Sequence, residues 1–463
     1  MKKTKIICTA PESGDYETLK EMQRNGMDVI RVDLSTSSHD FAKDIVSKIR
    51  KMNKEENTSV GILFDTKGPH IKVGEFKDGS IELKENTKVL LTPKDVDGVD
   101  NKINISEKKL FLSLDIDYEI LLGDGNIKLV VTGIKNEDIT CKVVNGGILY
   151  SNSSLSVPEV DLNVDYLSIV DKKDILFASK LDVDYISLSF VRNANDILDV
   201  NDIFIGERNE HIGIISKIEN NSALEDLENI IKVSEGIMFS RDSFSSEIEK
   251  LPAIESKIVT ESRKKNKLCI ISTEMLDSMI EKELPSKIDA SEVSYKVVDK
   301  VDALLLNKAC NGIHPALCVK VMSKIIEETE KNMEYNITKD SEKMDTTTAL
   351  SYAAVSMANM MDIKAIVTSS ISGYTARKVS NFRPRCITIV TTPDKEVAQS
   401  LSLNWGVIPV VTERASSMDD IIDTAKKSSK KILNLEKGNK IIVTGGFPLK
   451  RVRGTNFIKI EEI

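Results

Sequence analysis

Short runs of β-branched and other apolar residues recur along the chain, separated by longer amphipathic stretches. Eight of them predict strands: 5–9 (KIICT), 28–33 (DVIRVD), 61–65 (GILFD), 184–189 (DYISLS), 212–217 (IGIISK), 236–240 (GIMFS), 268–273 (LCIIST) and 303–307 (ALLLN). Most lack the apolar–polar alternation of a strand with one wet face, as strands buried on both faces of a parallel sheet do. Between them the period lengthens. Tyr16 to Asn25 sets Leu19 and Met22 on one face, and Leu224 to Val233 sets Leu224, Leu227, Ile230 and Ile231 at helical spacing. Eight strands in series with helices predict an α/β protein built on a (β/α)8 TIM barrel.

The series breaks after Asp65. Residues 71–159 alternate short strands with the turn signals Lys77-Asp78-Gly79-Ser80, Gly123-Asp124-Gly125-Asn126 and Asn145-Gly146-Gly147. This predicts a small all-β domain, a β-barrel lid, inserted in a βα loop. The catalytic barrel is then 1–70 with 160–335, close to the ~250 residues typical of the fold. From 341 to 463, apolar strands at 364–368, 386–391, 407–411 and 440–444 alternate with helices and predict a C-terminal α/β domain. The polar stretch Lys331 to Thr346 is the expected linker.

Composition narrows the function classes. Sixty-four basic against 72 acidic side chains give a net charge of −8, with no basic stripe, which argues against a nucleic-acid partner. Six scattered cysteines (Cys8, Cys141, Cys269, Cys310, Cys318, Cys386) without C-x-x-C spacing argue against a disulfide framework or zinc site. The apolar run Ile6-Ile7-Cys8 is too short for a signal peptide's core, and there is no run of eighteen apolar residues. The expectation is a cytoplasmic protein with no membrane partner.

In a TIM barrel, functional residues gather at the C-terminal ends of the strands. Those ends carry Arg31 and Asp33, Asp65-Thr66-Lys67, Ser189 and Arg192, Lys217 and Glu219, Arg241 and Asp242, Thr273, and Asn307. Cations, carboxylates and hydroxyls converging on one mouth suit a phosphorylated anion held with a divalent metal, with Glu219 and a second carboxylate as hard oxygen ligands. Each has a plainer reading. Lys217 and Glu219 alone would be a surface ion pair, Arg31 a structural arginine, Asp65 and Thr66 a cap, and Thr273 a helix N-cap. Asp124 reads first as a hairpin turn, and His39, His211 and His314 as structural or surface residues.

Several segments resemble pyruvate kinase motifs: TKGP (66–69), SFVR (189–192), SKIEN (216–220), STEMLDSM (272–279), RPR (383–385), WGVIPV (405–410), VTGG (443–446) and RGTN (453–456). They run in order over essentially the whole chain. The resemblance implies the glycolytic transfer of a phosphoryl group from phosphoenolpyruvate to ADP, giving pyruvate and ATP, in a homotetramer. By position, Arg31, Lys217, Thr273 and Lys72 would be catalytic, with Arg31, Lys217, Asp242 and Thr273 touching substrate. Glu219 with Asp242 or Ser243 would bind Mg2+ or Mn2+, and Asp33, Ser35, Asp65 and Thr66 would hold K+. Thr368, Ser369, Ser370, Ser372 and Gly373, with Arg451 or Arg453, match the family's sugar-phosphate effector pocket.

The resemblance is imperfect where it matters. The second strand end has Asp33 for the family's asparagine and Thr36 for its histidine, and GPEIR has become Gly68-Pro69-His70-Ile71-Lys72. Lys72 keeps an arginine's charge without its bidentate fork, and His70 makes K+ dependence uncertain. ARGDLG appears as Ser240-Arg241-Asp242-Ser243-Phe244-Ser245, so the metal-ligand position falls on Ser243, or on Asp242 if a residue is deleted. Glu274 stands for glutamine, Lys287 for arginine, and the SGETAxGxYP loop is reduced to residues 307–315. These changes imply activity impaired at the metal and nucleotide sites. The alternative reading is a degenerate paralogue acting as a regulatory or binding subunit.

Overall fold

A computed structural model describes the chain apart from residues 70, 95, 97–100, 108, 124, 158–164, 242, 243, 245–247, 336, 338–343 and 448–453. Eight parallel strands close into a barrel: Lys5–Thr9, Val29–Asp33, Gly61–Asp65, Tyr185–Leu188, Gly213–Ile218, Gly236–Ser240, Leu268–Ser272 and Ala303–Leu306. The seam is the pairing of the first strand with the last, from Lys5 opposite Ala303 to Cys8 opposite Leu306. Both faces of the strands are buried, which accounts for their unbroken apolar spelling. Ile6, Cys8, Ile30, Val32, Ile62 and Phe64 pack outward against the helices. Ile7, Val29, Leu63, Tyr185, Ile215, Met238, Leu268, Ile270 and Leu305 fill the interior.

Helices cover the outside, among them Tyr16–Arg24, N-capped by Asp15, which buries Leu19 and Met22. The stretch 224–233 is not one helix but parts of two, Asn221–Glu225 and Leu227–Val233. At the break, the Asp226 carboxylate accepts from the Ala194 N–H (2.8 Å) and the Asn229 amide (2.7 Å). Its backbone leaves helical geometry to do so (φ −98°, ψ 16°).

Between the third and fourth barrel strands lies a seven-stranded sheet with an accompanying two-stranded one. Its first strand, Ile71–Lys72, and its far-edge strand, Lys102–Asn104, are joined by hydrogen bonds from Gly74 N–H to the Asn104 carbonyl (2.8 Å) and from Ser106 N–H to the Lys72 carbonyl (2.9 Å). The C-terminal region forms a five-stranded sheet in the order Val407–Val411, Ile387–Thr392, Ile363–Ser369, Lys440–Gly445, Phe457–Glu462, the last strand antiparallel.

This C-terminal unit stoppers the barrel from below. Leu403, fully buried, belongs to the same apolar cluster as the barrel's interior side chains. Around it, the Tyr185 hydroxyl donates to the Ser400 carbonyl (2.6 Å), Lys5 Nζ to the Val407 carbonyl (2.8 Å), and Arg383 pairs with Asp302 (3.0 Å). Truncating the stopper leaves a cavity that no neighbour can fill. Leu403→Ala should therefore lower stability by about 2–5 kcal/mol in urea denaturation. The chain's single tryptophan, Trp405, is buried in this seam and reports the transition by fluorescence. A loss under about 1 kcal/mol would mean Leu403 does not serve as a stopper.

Candidate active site

Strand side chains alternate, so each interior apolar column continues upward at every second residue. Val29 leads to Arg31 and Asp33, Leu63 to Asp65, Tyr185 to Ser187 and Ser189, and Ile215 to Lys217 and Glu219. Ile7 leads likewise to Thr9, and Leu305 to Asn307. Above the apolar layers the interior therefore turns polar over one turn of the sheet, and these residues meet.

Asp65 is the centre of the cluster and is 2% exposed. Its Oδ2 accepts from Arg31 Nε (2.8 Å) and Nη2 (2.6 Å) and lies 3.4 Å from Lys217 Nζ. Its Oδ1 accepts from the hydroxyl of Ser187 (2.8 Å) and lies 3.3 Å from Ser189 Oγ. Lys217 also donates to Ser189 Oγ (2.9 Å) and sits 3.2 Å from Glu219 Oε1. The second Glu219 oxygen accepts from the Phe190 N–H (2.8 Å), presented by a left-handed backbone turn at φ 55°. Asp33 receives Arg31 Nη2 (2.9 Å) on one oxygen and the Ser35 N–H (2.9 Å) on the other. The Thr66 carbonyl accepts from Ser189 Oγ (2.8 Å).

Burial by itself disfavours every one of these charges. The attraction between them wins. Lys217 and Arg31 hold the Asp65 carboxyl below the ordinary carboxylate range. Asp65 and Glu219 hold the Lys217 ammonium above its usual value, and Asp65 and Asp33 do the same for Arg31.

Of the residues expected from sequence, Arg31, Asp33, Ser35, Asp65, Thr66, Lys217 and Glu219 lie in this hydrogen-bonded network. Thr273 follows the seventh barrel strand and is buried, and its Oγ1 has no hydrogen-bond partner among the described residues. Lys72 stands on the inserted sheet, where its backbone N–H donates to Ser106 Oγ (2.9 Å). Its ammonium makes no ion pair with the cluster among the described residues. Asp242 and Ser243 lie outside the described residues, as do His70, Asp124, Arg451 and Arg453. Thr9 and Ser187 belong to the network but were not singled out from sequence, although the every-second-residue rule points to both.

The effector candidates are further away. Ser369 and Ser370 line a narrow depression with Thr391, Thr412 and Arg414, a cation that carried no sequence signal. Ser372 and Gly373 precede the helix Tyr374–Asn381, with Arg377 Nη1 donating to the Ser372 carbonyl (3.1 Å). Gly373 is left-handed (φ 73°), and a Cβ there would meet Arg377 at 3.0 Å. Thr368, buried beside them, has an unpartnered hydroxyl among the described residues.

Removing the central carboxylate leaves the buried Arg31 and Lys217 with one carboxylate each, Asp33 and Glu219. Asp65→Asn should cost about 3–5 kcal/mol at pH 7, read from urea denaturation. Because the folded pKa of Asp65 is depressed, its contribution is present above the unfolded carboxyl value near ~3.9 and fades as pH falls through the folded one. The gap between wild type and variant should accordingly narrow below about pH 4. A gap independent of pH would show that the loss comes from packing alone.

The chain matches two family descriptions, "Pyruvate kinase, barrel domain" over residues 1–319 and "Pyruvate kinase, alpha/beta domain" over residues 348–461. It is 34% identical to the pyruvate kinase of Clostridium perfringens, with both chains covered completely. It is 33% identical to those of Staphylococcus haemolyticus and Sporosarcina psychrophila, covering all of this chain and 80% and 81% of theirs. A barrel and an α/β domain matched in turn, and relatives aligned over the whole of this chain, place it in the pyruvate kinase family.

Proposed function

We propose that this chain transfers the phosphoryl group of phosphoenolpyruvate to ADP, giving pyruvate and ATP. The observation that carries the reading is a guanidinium and an ammonium, Arg31 and Lys217, fixed on the same Asp65 oxygen at the barrel mouth (2.6 and 3.4 Å). Two such cations can receive the equatorial oxygens of a phosphoryl group while its bridging bond breaks. In the reaction the phosphorus–oxygen bond of phosphoenolpyruvate breaks, a terminal ADP oxygen forms the new bond, and the enolate left behind takes a proton at its methylene carbon. Thr273, whose buried hydroxyl lacks a protein partner among the described residues, is the group we place beside that carbon.

The cluster holds two cations, Arg31 and Lys217, against three carboxylates, Asp33, Asp65 and Glu219. A further positive charge is needed before it can hold a polyanion. Glu219, with Asp242 or Ser243, would offer the hard oxygens that Mg2+ or Mn2+ takes, and the ion when bound would supply that charge. Asp33, Ser35, Asp65 and the Thr66 carbonyl are oxygen donors of the kind K+ takes, already drawn together by shared hydrogen bonds. Lys72 would approach as the inserted domain closes and excludes water.

The substitutions at 242–243 and in the 307–315 loop lower affinity for metal and nucleotide in this reading, so raised Mg2+ and ADP requirements accompany turnover. The depression near Ser369 and Ser370 is the sugar-phosphate site. The exposed stripe Ile288, Tyr295 and Val298 on the helix Lys287–Val298 is a face for a homotetramer. Among the described residues no helix is long and apolar enough to cross a membrane.

The test is a coupled assay with phosphoenolpyruvate and ADP, run with Mg2+ or Mn2+, with and without K+ and sugar phosphates. Lys217→Ala should lower kcat by about a hundred- to a thousandfold, and chelating the divalent ion should abolish turnover. Turnover unaffected by Lys217→Ala would overturn the reading.

A further inference from the structure

A guanidinium has five N–H donors, and in this structure five contacts take up the five donors of Arg31. Nε and Nη2 reach Asp65 (2.8 and 2.6 Å), and Nη2 also reaches Asp33 (2.9 Å). Nη1 reaches Thr9 Oγ1 (3.1 Å) and Asn307 Oδ1 (3.2 Å). An arginine that binds a phosphoryl group must release something first. Bonds to carboxylates are charge-assisted and the shorter ones here, whereas the Nη1 pair goes to neutral oxygens and is the longest. The Nη1 edge is therefore the one that yields.

What it yields is prepared for the exchange. Thr9 and Asn307 face each other across the barrel seam, where the first and last strands pair. The Thr9 hydroxyl donates to Asn307 Oδ1 at 2.9 Å. When Nη1 leaves, that bond remains, so neither the buried Thr9 oxygen nor the half-buried Asn307 oxygen loses its last partner. We propose that Asn307 is a positioning residue for substrate binding. With Thr9 it holds the Nη1 edge of Arg31 in place of the phosphoryl oxygen, and releases it when the phosphoryl group of phosphoenolpyruvate arrives. The inference rests on the phosphoryl-binding role of Arg31 given above.

Asn307→Asp replaces the neutral oxygen with a carboxylate and makes the bond to Nη1 charge-assisted. The KM for phosphoenolpyruvate should rise at least about tenfold, with a smaller change in kcat. Asn307→Ser, which keeps a neutral oxygen, should retain the wild-type KM. Thr9→Val removes the bond that steadies Asn307 after release, and should raise the same KM about fivefold. It carries the test if Asn307→Asp does not fold, as judged by Trp405 fluorescence. An unchanged KM in a folded Asn307→Asp or Thr9→Val variant overturns the inference while leaving the activity standing. A KM raised as far in Asn307→Ser as in Asn307→Asp also overturns it. Wild-type protein that neither binds nor turns over phosphoenolpyruvate overturns the activity itself, and this inference with it.

Discussion

The Asp65 carboxylate is the constraint around which the barrel mouth is organised. Taking a carboxylate out of water costs several kcal/mol, and only close cations and donors offset it. Asp65 meets that demand with four donors on its two oxygens: Arg31 twice, Lys217 and Ser187. The donors come from the second, fourth and fifth strands, and Arg31 extends the network to Thr9 on the first and Asn307 beyond the eighth. The Thr9–Asn307 end of this network forms only when the barrel closes, since the two are neighbours only across the seam.

The site's charge follows from that arrangement. Asp33 adds a carboxylate where the family has a neutral amide, and the added charge is taken up directly by Arg31 Nη2. The pairing leaves the Arg31–Lys217 cations outnumbered by three acidic groups. A phosphorylated substrate alone would meet a site one negative charge in excess. On the proposed reading, a divalent cation would have to accompany or precede the substrate for the electrostatics to be favourable.

Much of this was legible in the sequence, for identifiable reasons. The barrel strands read as strands because burial on both faces forces an apolar run, and the mouth residues because the interior column resumes as polar beyond it. Asp226 was not legible, because a carboxylate that caps a neighbouring helix looks like any other helical acidic residue. The antiparallel edge strand Phe457–Glu462 alternates weakly and follows a Lys- and Arg-rich sequence, so its pairing with Lys440–Gly445 is a tertiary fact. Leu403 is one leucine among many until the C-terminal unit docks. Arg414 reaches the effector candidates only because the strand ends of a parallel sheet converge there. Thr9 and Ser187 were readable by parity alone, but each occupies a position where an ordinary hydroxyl is unremarked.

The two ends of the barrel are connected by what lies between them. Beneath the Asp65 cluster the interior is filled by Ile7, Val29, Leu63, Ile215 and Met238, all without solvent exposure, and closed below by Leu403. Among the described residues this apolar floor shields the ion pairs from below. An anion entering at the mouth displaces water and finds its cations already held against that floor, where their field is screened little. The stopper supplied by the C-terminal unit is in this sense part of the site's electrostatics, since a wet barrel would weaken every charge–charge contact that holds Arg31 and Lys217 in place.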